Sequence, residues 1–292
     1  SSDLPGALNR TVECNDLAGL AAAQTMAPTA ADNCSSVLSP VKTAGSFVSG
    51  ACGATGSYTN SWTVFDECGN EIAELYIQII TVNDNGIPQI TCPTDVVVNA
   101  NVGECFAAPV DLGIPNGNDQ CNGPVTFSND APVQFPVGET VVTWTVRDAC
   151  NNFNTCTQKV TVVDNQPPTI ECPADILQVA LPEDCFLEAV SVPDPVTRDN
   201  CAVVLQTWTM TGVTNGSSPQ TGIHSVNGQT FNVGVTTVTY TIADAAGNTA
   251  SCSFRVTIHD QRRPEFYICP RDTTVRSEER RVGKECRSRR SA

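Results

Sequence analysis

Basic residues are scarce in this sequence, and their scarcity excludes two classes of partner. Lysine occurs only at Lys42, Lys159 and Lys284, and Lys and Arg together number 16 against 31 Asp and Glu. The formal net charge is −15 over 292 residues, and the isoelectric point lies near 4.4. A chain this acidic lacks the positive surface that holds nucleic acid or anionic lipid. We therefore expect no nucleic-acid partner and no membrane insertion.

Long apolar runs and catalytic motifs are also missing. No stretch approaches the roughly 20 apolar residues that span a bilayer, and even the segment 72–82 is interrupted by Glu74 and Gln78. His224 and His259 are the only histidines in the sequence. No H-E-x-x-H, G-x-S-x-G or phosphate-binding glycine loop occurs. We therefore expect that the chain is not an enzyme and has no catalytic residues.

Cysteine, in contrast, is abundant, with 15 residues in the chain. Cytosolic proteins keep their thiols reduced, whereas secreted proteins use cysteines in disulfides. No pair shows the C-x₂-C spacing of a zinc knuckle, so the pattern does not favour metal binding by thiolates. The cysteine content therefore predicts an extracellular or cell-surface protein.

The chain contains internal repeats. The string DNGIPQITCP at 84–93 returns as DNQPPTIECP at 164–173. The string FPVGETVVTWTVRDA at 135–149 likewise matches FNVGVTTVTYTIADA at 231–245 without a gap. In the N-terminal part of the chain, Gly56 and Asp66 have the same separation as Gly138 and Asp148. The N-terminal part of the chain is therefore a further copy of the same unit.

These landmarks divide the chain into predicted repeats. They are a first repeat at 1–83, a second at 84–163, a third at 164–260 with a loop insert at about 206–229, and the start of a truncated fourth at 261–275. The insert is rich in Gly, Ser and Asn, which predicts an exposed and mobile loop. Residues 276–292 are strongly basic without strand alternation. They resemble translated vector sequence, so we expect a non-native tail.

Strand patterns run through every repeat. In the second repeat Val142, Trp144 and Val146 alternate with threonines, and this period of two places the apolar set on a core face. One aromatic residue occupies the same landmark in each copy: Trp62, Trp144 and Tyr240. Only residues 17–24 have helical spacing, and 19 prolines are spread along the chain. The predicted fold class is all-β, with tandem immunoglobulin-like β-sandwich domains arranged as a rod, and another Greek-key barrel is the alternative.

An aspartate follows this strand in every repeat, at Asp66, Asp148 and Asp244. It begins the turns DECGN, DACNN and DAAGN, in which Asn151 or Gly247 can adopt a positive φ. We expect each of these carboxylates to hydrogen-bond its own turn and not to catalyse a reaction.

The order of these motifs carries a family resemblance. A DNxPP linker, an I-x-C-P start, a central D-N-C, the phrase F-x-V-G-x-T-x-V-x-Y/W-x-x-x-D-x-x-G-N and a cysteine early in the last strand resemble the hyalin repeat, or HYR module, over residues 84–260. The first segment, with DNCSS, CGATGSYTNSW and DECGN, resembles HYR-like repeats of bacterial surface and secreted proteins. The resemblance implies an immunoglobulin-like fold in tandem, a role in adhesion or extracellular architecture, and no catalytic residues.

Cysteine positions supply disulfide candidates within each repeat. In an immunoglobulin-like sandwich the first and last strands can run parallel, which favours two stapling pairs: Cys92–Cys156 and Cys172–Cys252. Cys105 and Cys121 are separated by 16 residues, as are Cys185 and Cys201. This equal separation, and the lack of another partner in the third repeat, favours the pairs Cys105–Cys121 and Cys185–Cys201.

Two cysteine assignments stay open at this stage. In the first repeat, Cys34–Cys68 with Cys14–Cys52 is one of three connectivities. In the second repeat Cys150 is left unpaired, and the alternative pairs Cys121 with Cys150 and leaves Cys105 free. An unpaired cysteine would be available for an intermolecular bond.

Acidic segments recur where one repeat meets the next. Asp84 and Asn85 lie in TVNDNGIP, and Asp164 and Asn165 lie in VVDNQPP. Their oxygens could bind Ca²⁺ and stiffen the joint. Further ligands would then come from a larger set: Asp32, Asp119, Asp199 and the turn aspartates. Alternatively, Asp and Asn cap strand ends while the following prolines rigidify the linker, and the absence of a D-x-D-x-D-G loop favours this interpretation. Apart from calcium, no cofactor is expected.

Three sequons fit N-linked glycosylation, at Asn9, Asn33 and Asn215. Several chance matches are expected in a chain this rich in Asn and Thr. Asn215 lies in the predicted loop insert and is the strongest acceptor candidate.

These observations predict a non-catalytic extracellular structural or adhesive protein, most simply a subunit of a fibre or matrix. Its partners would be copies of itself or other extracellular proteins and glycans. One alternative is the stalk of a cell-surface adhesin. A second alternative is a carbohydrate-binding accessory module of a secreted enzyme, which would need exposed aromatic platforms.

Overall fold

Two compact units make up the structure, a computed structural model that describes residues 6–33, 38–52, 55–72 and 74–264. The first unit ends at Gln166 and contains the first two repeats, and the second unit begins at Pro167 and contains the third. Most of the predicted fourth repeat, from residue 265, and the whole predicted tail at 276–292 lie outside the described residues.

The first repeat contains five strands and one helix. They are β1 Arg10–Glu13, α1 Leu17–Thr25, β2 Val41–Thr43, β3 Phe47–Ser49, β4 Gly56–Thr63 and β5 Tyr76–Asn83. The sheet order is β1-β5-β4-β2, with β3 also paired to β4 and with β1 parallel to β5. The helix α1 covers the segment with helical spacing, and it begins where the Asp16 side chain accepts from Gly19 N at 2.8 Å. Among the described residues no helix is long and apolar enough to cross a membrane.

The second repeat has two layers around one core. Its strands are β6 Gln89–Thr91, β7 Val96–Asn99, β8 Phe106–Ala107, β9 Asn116–Asn118, β10 Thr126–Asn129, β11 Phe135–Pro136, β12 Gly138–Arg147 and β13 Phe153–Val163. One sheet has the order β10-β12-β13-β7, with β7 parallel to β13. The short ladders β6–β9 and β8–β11 contribute Ile90, Ala107 and Phe135 to a core that also contains Trp144. This is the sandwich arrangement that the alternating residues predict.

The third repeat has the same plan with a wider main sheet. Its strands are β14 Thr169–Glu171, β15 Ile176–Val179, β16 Phe186–Leu187, β17 Val196–Arg198, β18 Val203–Gly212, β19 Gly216–Ser217, β20 Phe231–Asn232, β21 Gly234–Asp244 and β22 Thr249–His259. The main sheet has the order β15-β22-β21-β18-β19, with β15 parallel to β22. Tyr240 is fully buried in its core. The all-β fold class is therefore confirmed, as is the placement of one buried aromatic residue in each repeat.

The insert predicted at about 206–229 is mostly exposed from residue 211 onward, as its composition predicts, but a few of its residues are buried. Its first part belongs to β18, and Val226 is 0 % exposed. Val226 N donates to the Tyr240 hydroxyl at 3.0 Å, and Trp208 N donates to Ser218 Oγ at 3.0 Å. Burial raises the pKa of Tyr240. The prediction is wrong only for the part in β18 and for these buried residues, because a Gly- and Ser-rich composition does not reveal that an isolated apolar residue such as Val226 packs into the core.

A buried glutamine joins the two layers of the second repeat. Gln158 accepts from Trp144 Nε1 at 2.9 Å, and its Nε2 donates to the carbonyls of Thr94 at 2.7 Å and Leu112 at 2.9 Å. Gln78 makes corresponding bonds in the first repeat, to the carbonyls of Leu8 at 2.8 Å and Ala23 at 3.1 Å. Buried polar groups of loops must find partners inside the protein. In each of these repeats one buried side chain therefore bonds two backbone carbonyls that lie far away in the sequence.

Replacing this glutamine tests its role. Gln158→Leu keeps a side chain of similar volume but leaves the Trp144 donor and two carbonyls without their partner. We expect this change to lower the free energy of unfolding by about 2–4 kcal/mol. Thr157→Ala, at the neighbouring exposed position of β13, is the matched control and should change stability by no more than about 0.5 kcal/mol. Urea denaturation monitored by tryptophan fluorescence would measure both, and equal stabilities would refute the assigned role.

Candidate functional site: the junction between the first two repeats

The linker between β5 and β6 is held by side chains from both repeats of the first unit. Glu13, at the end of β1, accepts from Asn85 N at 3.0 Å and from Asn85 Nδ2 at 2.8 Å. From the second repeat, Asn152 Nδ2 donates to the Asp84 carbonyl at 3.0 Å, and Asn154 Nδ2 donates to the Pro88 carbonyl at 3.1 Å. Both ends of the linker are therefore fixed by hydrogen bonds.

Two disulfides also connect the first two repeats. Cys14, one residue after β1, pairs with Cys121, and their Cα atoms lie 5.6 Å apart. Cys52 pairs with Cys150, and their Cα atoms lie 5.1 Å apart. Beside the first disulfide, Asn15 Nδ2 donates to Gln120 Oε1 at 2.7 Å. The two repeats are thus linked covalently at two points besides the peptide chain.

These bonds correct several predicted assignments. Cys121 pairs with neither Cys105 nor Cys150, Cys14 does not pair with Cys52, and Cys150 is not unpaired. Among the described cysteines Cys68 and Cys185 have free, exposed thiols, so Cys185 does not pair with Cys201. Cys34, the predicted partner of Cys68, lies outside the described residues. The predictions failed because they sought partners within one repeat, whereas the end of one repeat lies against the start of the next.

The two stapling pairs within repeats are confirmed. Cys92 bonds Cys156 and Cys172 bonds Cys252, each with 5.8 Å between the Cα atoms. The parallel pairing of first and last strands, which motivated both predictions, brings each pair together. Cys105 and Cys201 are also in disulfide form.

Three carboxylates meet at the same junction. Asp84 of the linker, Asp119 after β9 and Asp148 after β12 each present an oxygen, and these oxygens lie within 4.8 Å of one another. The three residues are buried, with exposures of 9 %, 4 % and 6 % respectively. In the described part of the chain no ion pair involves any of them.

The three carboxylates differ in how their oxygens are used. Asp148 accepts from Asn152 N at 2.8 Å with Oδ1 and from Asn152 Nδ2 at 2.9 Å with Oδ2. Asp84 Oδ1 accepts from Gly86 N at 3.0 Å. Asp119 Oδ2 accepts from Cys121 N at 2.8 Å, but Asp119 Oδ1 is buried and has no hydrogen-bond partner among the described residues. A buried carboxylate oxygen without a partner is costly.

Burial is also the main cause of a raised pKa at Asp84. Desolvation raises the pKa, the hydrogen bond from Gly86 N opposes the rise, and the negative charges of Asp119, Asp148 and Glu13 add to it. The junction therefore disfavours negative charge on Asp84 unless a positive charge comes near.

The predicted calcium ligands separate into two groups. Asp84 lies in the cluster, but Asn85 is exposed and its amide donates to Glu13. Asp32 and Asn165 are exposed as well. Asp164 is buried and accepts from Gln166 N at 3.0 Å, as Asp84 accepts from Gly86 N. Asp119 and Asp148, which the sequence offers among the further ligands, also lie in the cluster.

The turn role of the three repeated aspartates is confirmed. Asp66, Asp148 and Asp244 each accept from the backbone and side chain of the Asn four residues later. These hydrogen bonds, led by that of the Asn70 side chain, lower the pKa of Asp66. The turn residues Gly69, Asn151 and Gly247 have positive φ angles of 84°, 72° and 91°.

The remaining predicted positions lie on the surface or in the core. Asn9, Asn33 and Asn215 are exposed, as an acceptor for a glycan must be. His259 is exposed at the end of β22, and His224 bonds the Thr221 carbonyl near its own turn. Trp208 is buried and therefore offers no aromatic platform.

Comparison with known proteins identifies the repeat. A family model described as "HYR domain" matches residues 83–162 and 163–258, beside the predicted repeats at 84–163 and 164–260. "Hyalin" of Strongylocentrotus purpuratus is 31% identical over 228 residues, which cover 74% of this chain and 17% of that protein. "Hyalin" of Lytechinus variegatus is 30% identical over 79% of this chain and 41% of that protein.

A bacterial relative is more distant. "Serine-rich adhesin for platelets" of Staphylococcus aureus strain MRSA252 is 26% identical over 61% of this chain and 11% of that protein. The chain thus spans less than half the length of each of these three relatives. With the disulfide-bonded cysteines, the family match establishes an extracellular location.

Peptide mapping without reduction would test the disulfides between the repeats. We expect pepsin digestion to release linked peptides containing Cys14 with Cys121 and Cys52 with Cys150. Pepsin acts at low pH, where thiols are protonated and disulfide exchange is suppressed. Alkylation of the native protein beforehand should label Cys68 and Cys185. A peptide that links Cys105 to Cys121 would contradict this connectivity.

Proposed function

Because the chain belongs to the HYR domain family, we propose that it is a non-catalytic subunit of an extracellular fibre or matrix. Its contribution is length and surface, and its partners are copies of itself or other extracellular proteins and glycans. This chain matches only a part of each of these relatives, so the proposal concerns the tandem repeats and the load that they would carry along a fibre.

The observation that carries the proposal is the covalent junction in the first unit. Cys14–Cys121 closes a separation of 107 residues and Cys52–Cys150 one of 98 residues. Bonds across such long separations restrict the unfolded chain strongly, at about 4–5 kcal/mol for one loop of this length in the chain-entropy model. Between the bonds, the linker is held by Glu13 and Asn152. Such joints support a structural role, because they would help a tandem array to hold its geometry under load.

A stalk that displays a binding domain is the first alternative. The similarity to a protein named as an adhesin supports it, since repeats of an adhesin can act as spacers. In that case the repeats would keep the same joints but would not assemble with one another.

The carbohydrate-binding alternative has less support. Sugar-binding surfaces commonly use exposed aromatic rings. All three tryptophans of the chain, Trp62, Trp144 and Trp208, are buried, with Trp62 at 2 % exposure. No tryptophan is thus available for stacking on a sugar.

Negative-stain electron microscopy with analytical ultracentrifugation would test the fibre proposal. We expect the oxidised 292-residue protein to form regular filaments that sediment well above the monomer. Monodisperse single particles at every concentration would overturn the fibre proposal and leave the stalk.

A matched variant separates ordered assembly from accidental cross-linking. Cys68→Ser with Cys185→Ser removes the free thiols of the described residues and leaves the junction disulfides intact. We expect the double variant to form the same filaments, because repeat surfaces and not free thiols would make the contacts. Assembly that occurs only in the wild type and dissolves with mild reductant would count against an ordered fibre.

A further inference from the structure

The buried carboxylates of the junction have a chemistry that the fibre role does not use. Asp84, Asp119 and Asp148 bring three carboxylates together in a place that water barely reaches. Like charges at such distances repel, and burial strengthens the repulsion. No described basic side chain forms an ion pair with them. Arg147, adjacent in sequence, bonds the Asn151 carbonyl at 3.0 Å and lies over the Phe153 ring.

An unused oxygen points into this cluster. Asp119 Oδ1 has no partner among the described residues, and its side chain is more than nine-tenths buried. A Cβ atom built on Gly86 would lie 3.3 Å from Asp84 Oδ1 and 3.9 Å from Asp119 Oδ1. Both oxygens therefore face the same space beside a glycine, where no side chain intrudes. Native proteins seldom bury a carboxylate oxygen without a donor or a cation.

We propose that Asp84, Asp119 and Asp148 bind one calcium ion at the junction between the first two repeats. Two oxygens on one Ca²⁺ at 2.3–2.6 Å can be separated by at most about 5 Å, and the three oxygens of the cluster lie within 4.8 Å of one another. The ion would supply the missing partner of Asp119 Oδ1 and offset the repulsion among the three carboxylates. Carbonyl oxygens and water would complete the coordination that Ca²⁺ requires.

The donor set selects a hard cation. Cys14 and Cys121 each place a sulfur within 4.8 Å of an Asp84 oxygen, and thiolates there would favour zinc. The two sulfurs are bonded to each other, so neither is a thiolate. Only carboxylate ligands remain, which suit Ca²⁺, Mg²⁺ or Mn²⁺.

The arrangement has a counterpart in the second unit. Asp199 and Asp244 place oxygens within 4.8 Å of each other, and Asp199 Oδ1 is also buried without a hydrogen-bond partner in the described residues. Asp199 Oδ2 accepts from Cys201 N at 3.0 Å, as Asp119 Oδ2 does from Cys121 N. The same geometry in two repeats is more than a local accident of one turn.

Thermal unfolding with added CaCl₂ would test the site. Because Asp199 could bind calcium independently, all comparisons use the Asp199→Asn background. At about 10 mM CaCl₂ and a Kd of about 10⁻⁴–10⁻³ M, which is usual for extracellular modules, the melting temperature should rise by roughly 4–8 °C above its value in EDTA.

Adding Asp119→Asn should abolish that rise. The asparagine oxygen can still accept from Cys121 N, and losing one buried charge should leave the melting temperature in EDTA unchanged or higher. Asp111→Asn is the matched control, because Asp111 is exposed and accepts from Gly113 N in a similar turn, and it should keep the full rise. MgCl₂ should give a smaller rise than CaCl₂.

Three results would overturn the proposal. One is the absence of a calcium response in the Asp199→Asn protein, and another is a full response after Asp119→Asn is added. The third is a larger rise with ZnCl₂ than with CaCl₂, which would contradict a site made only of carboxylates. If that full response came with a lower melting temperature of the Asp119→Asn variant in EDTA, Asp119 would stabilise the fold without binding calcium.

Discussion

The covalent joint between the first two repeats is the constraint on which the rest of the first unit depends. Cys14 follows β1, and β1 pairs in parallel with β5, the strand that leads into the linker. Fixing Cys14 to Cys121 therefore places the end of the first repeat beside the loop that carries Asp119. The three aspartates lie close together because the disulfide and the Glu13–Asn85 contact leave the linker little freedom. Without that joint, Asp84 could move away from two negative charges.

Within each repeat, a different device holds the layers together. The first and last strands run parallel, and in the second and third repeats a disulfide joins the last strand to a cysteine just before the first strand of the main sheet. In the second repeat Gln158 adds hydrogen bonds across the core. The third repeat has Phe254 at the corresponding position, and its ring stacks on Tyr240 with 6.3 Å between centroids. A polar residue, Gln158, and an apolar residue, Phe254, thus occupy corresponding positions. The third repeat can use the apolar residue because residues of its insert, such as Val226, fill its core.

Much of this fold could be predicted from local patterns. Alternation around Val142 and Trp144 identified the strands, and the D-x-x-G-N motif identified the turns, since both signals depend on neighbouring residues. Parallel pairing of first and last strands identified Cys92–Cys156. Local patterns do not report which loops of neighbouring repeats meet, so Cys14–Cys121 was missed. The burial of Val226 was missed for the same reason, because a single apolar residue in a polar segment has no period.

Charge alone did not identify the candidate site, because the chain is acidic throughout. Most junction and turn aspartates accept hydrogen bonds from backbone amides or from an asparagine, and Asp148 uses both oxygens in this way. The described ion pairs, Lys159–Glu139 and Arg262–Glu183, are exposed and contribute little.

What distinguishes Asp119 is an oxygen that nothing in the described chain satisfies, and no sequence motif marks that feature. The protein has 31 acidic residues against 16 basic ones, and no described basic side chain forms an ion pair with its buried aspartates. Its aspartates must use backbone amides, remain exposed to water, or take a cation from the solvent. At the junction backbone amides are already used and water is largely excluded, which is why we propose a cation from the solvent as the partner of Asp119.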